Sequence, residues 1–303
     1  MTYTISKKIA YLSRRGESLL NRHTMLVKLK DSSLVHVGRR LKKLVNQLKP
    51  NRIKLGRTSE LNDLIIIFRH VYINSDVTRF PHKSRPAAFS HLGCLQNLVE
   101  TILASKYTHR VQLHIFYNGT LDEFQSDEIS TFLASSDVNA SIKLVEAKSA
   151  VESALVMLET IDEISKNNND LIYILENDYI HATNWIEEVI DVYSSDISFD
   201  YLSLYDHPDR YKFPQNYKNS CLYATSKRHW ISAPSTCGTF IFKKSVYIRD
   251  FQWLFSTKND HQMFKKLTVK LKRTLITPIP GLSVHCMNDH LDPVQQFEKY
   301  FRN

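Results

Sequence analysis

The chain has 303 residues, 43% of them hydrophobic and 11% aromatic, with 7 glycines, enough apolar material for a large core and too little glycine for a collagen-like or low-complexity chain. Four scattered cysteines with no CxxC pair argue against a disulfide framework or zinc cluster, and no apolar run reaches the roughly 18–20 residues of a membrane span. The first twenty residues lack the apolar centre of a secretory signal, so a reducing, cytoplasmic setting is expected.

The formal charge of +9 is uneven: residues 1–60 carry fifteen Lys/Arg against three acids, a balance of +12, which leaves −3 for the remainder. Within them, SLLNRHTMLVKL and VGRRLKKLVNQL set Leu, Met and Val among Lys and Arg at helical spacing, and Pro50 ends the second run. Residues 1–60 are expected to be a basic helical extension and linker. Three uses are open to it: contact with an anionic membrane surface from the cytoplasmic side, packing on the body of the protein or in a homodimer, and nucleic-acid binding. The last is disfavoured, because no recognition motif is present and the body is slightly acidic.

From residue 61 the pattern becomes strand–helix alternation. LIIIF (64–68) is a continuous β-branched run, as expected of a strand buried on both faces. RPAAFSHLGCLQNLVETIL follows, with Pro86 suited to a first helical turn and Phe89, Leu92, Leu95, Val99 and Ile102 on one face. Further strands are expected at 111–118, 141–146, 171–178 and 200–205, separated by helical patterns. This order predicts an α/β domain: a Rossmann-like, mostly parallel sheet with helices on both faces, binding ligands beyond the carboxyl ends of its strands. A nucleotide-binding half is expected over 61–206 and an acceptor half over 207–303. Neither GxGxxG nor GxxxxGK[ST] occurs, which disfavours dehydrogenase and P-loop chemistry.

Several constellations carry candidate chemistry. LIYILEND runs five apolar or aromatic residues into Glu176, Asn177 and Asp178. Two close carboxylates repel, and a hard cation such as Mg2+ or Mn2+ relieves this and bridges a diphosphate; capping of the next helix is the competing reading. His285, in PIPGLSVHCMND, is either a hydrogen-bonded structural residue or a further ligand, with Asp289 and His290 as weaker competitors. Asp260, in NDHQMF, suits a helix N-cap and equally a general base. Tyr205, Asp206, His207, Arg210 and Tyr211 form a polar and aromatic loop after the fifth strand, read as sugar contacts or as plain surface. Arg69, His70, Arg79 and Arg85 follow strand one and either line a nucleotide pocket or are solvated.

Taken together, the RP-initiated segment, LENDY, CGTFIFKKS, DHQMF and the late SVH resemble glycosyltransferases of the type A fold over roughly 63–293. The resemblance implies a nucleotide-sugar donor, a glycan or lipid-linked acceptor, and Mn2+ or Mg2+ on the DxD-like Glu176, Asp178 and His285, with Asp178 the better ligand. It implies Asp260 as the base of an inverting reaction. It also places Phe68, Arg69, Tyr117, Lys148 and Asn177 at the nucleotide. A nucleotidyltransferase is the alternative enzyme, disfavoured by the absence of glycine between Phe68 and Pro86. A catalytically inactive carbohydrate-binding protein is the alternative outside enzymes.

Overall fold

In the computed structural model of the protein, which describes residues 63–72, 84–256 and 259–292, the apolar run after residue 63 becomes the interior strand β1 (Leu64–Val71). The basic extension 1–60 and Arg79 lie outside the described residues. Strands β2 (Val111–Asn118), β3 (Ala140–Val145) and β4 (Leu171–Glu176) join β1 in the order β3-β2-β1-β4, all parallel. The short β5 (Tyr179–His181) leaves this sheet. The sheet then continues from β4 through β9 (Phe240–Lys243), β6 (Tyr201–Leu202), β10 (Leu275–Ile279), β8 (His229–Ser232) and β7 (Leu222–Ala224). In this half β9 is antiparallel to both its neighbours, while β6 and β10 are parallel to each other.

The alternation of β1 assigns its side chains to two cores. Leu64, Ile66 and Phe68 face one, and Ile65 and Ile67 the other. The first core is closed by Leu95, Leu98 and Ile102 of helix α1 (His91–Ala104) and by Trp185 and Val189 of a later helix (Trp185–Ser194). The second is closed by Met157, Leu158 and Ile161 of the helix Ala150–Ile164 and by Met263 and Phe264 near the C-terminal end. Each such fully buried side chain contributes about 1.5–3 kcal/mol of transfer free energy.

Two expectations shift at element ends. Helix α1 begins at His91 instead of Pro86, because the Ser90 hydroxyl accepts from the Gly93 N–H at 2.8 Å and caps it; Pro86 opens a turn closed by the Phe89 N–H on its carbonyl. The expected strand 200–205 pairs only over Tyr201–Leu202, after which Tyr205 bridges to Ser283.

Strand β5 pairs antiparallel with β11 (Ser283–His285), with His181 opposite Ser283 and Tyr179 opposite His285. Asn97 of α1 holds this ribbon from behind: its Nδ2 donates to the His181 carbonyl at 3.1 Å and its Oδ1 accepts from the His181 N–H at 2.7 Å. Nearby, the Arg228 guanidinium grips the buried Glu188 carboxylate with two nitrogens, one of them Nη2 at 2.9 Å, and donates to the Pro280 carbonyl at 2.6 Å.

Candidate functional site

The carboxyl end of β4 delivers Glu176, whose backbone N–H donates to Thr239 Oγ1 at 3.1 Å. Opposite it stands Asp260, the first residue of the helix Asp260–Lys265. Asn259 caps this helix, its side chain accepting from the Gln262 N–H at 3.1 Å, so the capping role anticipated for Asp260 belongs to its neighbour. Asp260 instead lies against Gly238, whose backbone N–H lowers its proton affinity. A Cβ on Gly238 would lie 3.2 Å from Asp260 Oδ2 and 3.3 Å from Glu176 Oε1, so the two carboxylates converge on the bare face of this glycine. Burial pushes the Asp260 carboxyl up to about 6, the Glu176 charge adds to this, and Arg69 and the Gly238 N–H pull it back. Arg69 lies beside Glu176 in the β1–β4 register, with its guanidinium 5.9 Å from the Phe255 ring centroid.

Asp178 is 2% exposed and does not cap a helix. Its Oδ2 accepts from Arg85 Nη1 at 2.8 Å and lies 3.2 Å from His285 Nε2. The same Arg85 nitrogen donates to the Cys286 carbonyl at 2.9 Å, and the guanidinium sits 4.6 Å from the centroid of Phe89. His285 stacks on Tyr179 at 4.7 Å. Burial alone would lower its proton affinity, but the Asp178 carboxylate and Cys237 outweigh it and hold the imidazole well above its usual range. The β5–β11 ribbon thus brings together Asp178 and His285, which the sequence had paired only as co-ligands.

Asn177 is engaged by two histidines. Its Nδ2 donates to His70 Nδ1 at 3.2 Å, and His91 Nδ1 donates to its carbonyl at 3.2 Å. His70 passes on to Asp127 at 3.3 Å, where the Tyr117 hydroxyl also donates at 3.0 Å. Phe68 and Tyr117, expected at the nucleotide, are 1% and 0% exposed and belong to the first core; alternation along their strands turns both inward. Lys148 is exposed, just before the helix Ala150–Ile164, with its backbone N–H on Glu152.

The loop after β6 is likewise more interior than its composition suggested. Tyr205, Asp206 and Arg210 are buried: Arg210 pairs with Asp206 at 2.7 Å, and the Tyr205 hydroxyl donates to the His290 carbonyl. Burial raises the Asp206 carboxyl and pushes His207 down to about 4. The rings that reach solvent are Tyr211 and Phe213, both 47% exposed. His290 joins the set, its ring 5.4 Å from His207 and 5.5 Å from His285.

A divalent cation on Glu176, Asp178 and His285 would need those donors to converge with uncompensated charge. Asp178 and His285 adjoin, but the Arg85 guanidinium occupies the same carboxylate oxygen, and Glu176 faces Asp260 and Thr239. Among the described residues no group of three or more His, Cys, Asp or Glu is placed to hold a metal ion. The residues as arranged do not fit the expected Mn2+ or Mg2+.

The sequence reading quoted NDHQMF and CGTFIFKKS but gave Gly238, Thr239 and Asn259 no role. The only signal for Gly238 was a glycine directly before an apolar strand, in CGTFIF.

No protein-family model matches the sequence, and no curated protein does. Solved structures of glycosyltransferases are similar in architecture. One is the mannosyltransferase PcManGT from Pyrobaculum calidifontis, in complex with GDP-Man and Mn2+: 11% identity, TM-score 0.48, 81% of this chain aligned, and 64% of that chain's length spanned. Mouse xyloside xylosyltransferase 1 aligns at 8% identity and TM-score 0.38, over 70% of this chain and 84% of that one. The galactosyltransferase LgtC, in complex with donor and acceptor sugar analogues, aligns at 9% identity and TM-score 0.40, over 67% and 70%.

Proposed function

We propose that the protein is a glycosyltransferase that moves a sugar from a nucleotide-sugar donor to a hydroxyl of a glycan or lipid-linked acceptor, with inversion. The observation that carries this reading is Asp260: a half-buried carboxylate set against Gly238 and Glu176 beyond the carboxyl end of β4, with a proton affinity near 6. Such a group is charged at neutral pH yet basic enough to take a hydroxyl proton. The order of elements over 63–292 supports the same reading.

The chemistry is in-line. The acceptor hydroxyl gives its proton to Asp260 as its oxygen attacks the anomeric carbon. The new C–O bond forms on the face opposite the leaving group, and the old bond breaks with its electron pair remaining on the nucleoside diphosphate. The exposed rings of Tyr211 and Phe213 offer flat surfaces on which acceptor sugars stack. Residues 1–60, with their +12 balance, suit a peripheral position on an anionic membrane where a lipid-linked acceptor lies.

The test is a screen of nucleotide sugars for transfer and donor hydrolysis, followed by Asp260→Asn. Loss of the base should cut turnover by about 10^2–10^4-fold while donor binding persists. Near-normal turnover in that variant removes Asp260 as base, and no donor consumption across the screen favours an inactive binding protein.

A further inference from the structure

Residues 61–303 balance to −3, but the stretch 121–164 alone holds ten Asp/Glu against two Lys, a balance of −8. This stretch surrounds β3, which stands at one edge of the sheet and, among the described residues, pairs only with β2. Three large apolar side chains in it are exposed: Leu121 at 54%, Ile142 at 44% and Leu144 at 39%. They share one side of the sheet. Ile142 and Leu144 alternate to the same face of β3 and lie beside Ile115 and Tyr117 in register, on the side of the first core. The Tyr117 ring meets that of Phe124 at 5.1 Å, and Leu121 stands one helical turn before Phe124. Exposed acids flank the strand on both faces. Asp122 and Glu128 lie on the helices Leu121–Ser126 and Glu128–Ser135, which pack on the first core. Glu159 and Glu163 lie on the helix Ala150–Ile164, which Lys143 of β3 ties to the other face through Thr160 at 2.7 Å and Glu163 at 3.6 Å. An edge strand with exposed apolar side chains and an acidic surround fits a basic amphipathic partner.

We propose that this partner is the chain's own residues 37–48, VGRRLKKLVNQL, docked along the β3 edge. Patterned as a helix, they set Leu41, Leu44, Val45 and Leu48 on one face, with Arg39, Arg40, Lys42 and Lys43 around it. The apolar face meets Leu121, Ile142 and Leu144, and the bases meet the flanking acids. Twelve helical residues are about 18 Å long, and six strand residues about 20 Å. The connection is short enough. The chain enters β1 at Leu64, and β1 is two strands from β3, or about 10 Å. Residues 49–63, at up to about 3.3 Å each, exceed that span. The +12 of residues 1–60 complements the −8 of 121–164. Docked, these cations face the protein's own acids and are withheld from an anionic membrane, so the edge and a lipid surface compete for the extension. The inference stands apart from the glycosyltransferase reading and survives its failure.

The experiment is hydrogen exchange on the full chain without lipid. A lone helix of this length is marginal in water, so protection of residues 37–48 reports docking. Their amides should exchange about tenfold or more slowly than a free chain. The double variant Ile142→Asp with Leu144→Asp should return them to free-chain rates while the amides of β1 and β4 keep their protection. Free-chain rates in the wild type overturn the inference, and protection that survives in the double variant overturns it too. A second measurement needs no variant: carbodiimide coupling of the wild-type chain, read by mass spectrometry. Lys42 or Lys43 should join acids of 121–164 within one monomer. Cross-links only to acids elsewhere, or only between two copies, overturn the inference.

Discussion

At the scale of single residues, the site is organised by which acid holds which partner. Asp260 is raised to about 6 by burial and by Glu176, and a general base works only when its proton is off. Turnover should therefore rise as pH climbs through about 6 and level off above it. Exchanging Glu176 for Gln removes a charge that raises Asp260, so the acidic limb of a kcat profile should move to lower pH; an unmoved limb would show that Glu176 does not act on Asp260. Much of this set was legible in the sequence. Acids at the end of an apolar run, a late histidine and an acid opening a helix were visible because each sits at a position that local pattern defines. Their partners were not visible. Arg85 lies 93 residues from Asp178, and nothing local distinguishes it from a solvated arginine. Phe68 and Tyr117 were placed at the nucleotide by the resemblance alone, and the paired sheet buries both in the core.

At the scale of elements, the strands were readable from β-branched runs, and their ends were decided by side-chain caps and by pairing. Ser90 set the start of α1 against the prior for Pro86. Strand β6 ended after two paired residues, where the chain turns toward β11. The ionic clamp of Arg228 on Glu188 ties the helix Trp185–Ser194 to β8, and its third bond reaches Pro280 just before the ribbon. Glu188 is 3% exposed, so removing its partner strands a buried charge. Arg228→Leu should cost about 3 kcal/mol in urea unfolding. The double variant Arg228→Leu with Glu188→Leu should recover part of that loss, and an equal or larger loss in the double variant would rule out charge burial as the cause.

At the scale of the whole molecule, charge is divided between residues 1–60, with a balance of +12, and a slightly acidic remainder. Among the described residues no helix is long and apolar enough to cross a membrane; the lipid contact proposed for residues 1–60 rests on their charge. The full chain should float with vesicles containing phosphatidylserine at low salt and release as salt rises, and deletion of residues 1–60 should abolish flotation. Flotation unchanged by the deletion would place the lipid contact in the body. The two-sided sheet was visible from the order of apolar runs. The ribbon was not, because β5 and β11 are three residues each and pair at long range along the chain.

That ribbon also sets a schedule for the protein during its own synthesis. Asp178 and His285 are 107 residues apart, so at ribosomal speed the first waits on the order of ten seconds for the second. Through that interval the parallel strands can form and α1 can dock, but Asp178 has neither His285 nor the Cys286 carbonyl that helps hold Arg85. A nascent or prematurely terminated chain therefore carries the parallel strands without the Asp178–His285 pair, which assembles in one late step when β11 emerges.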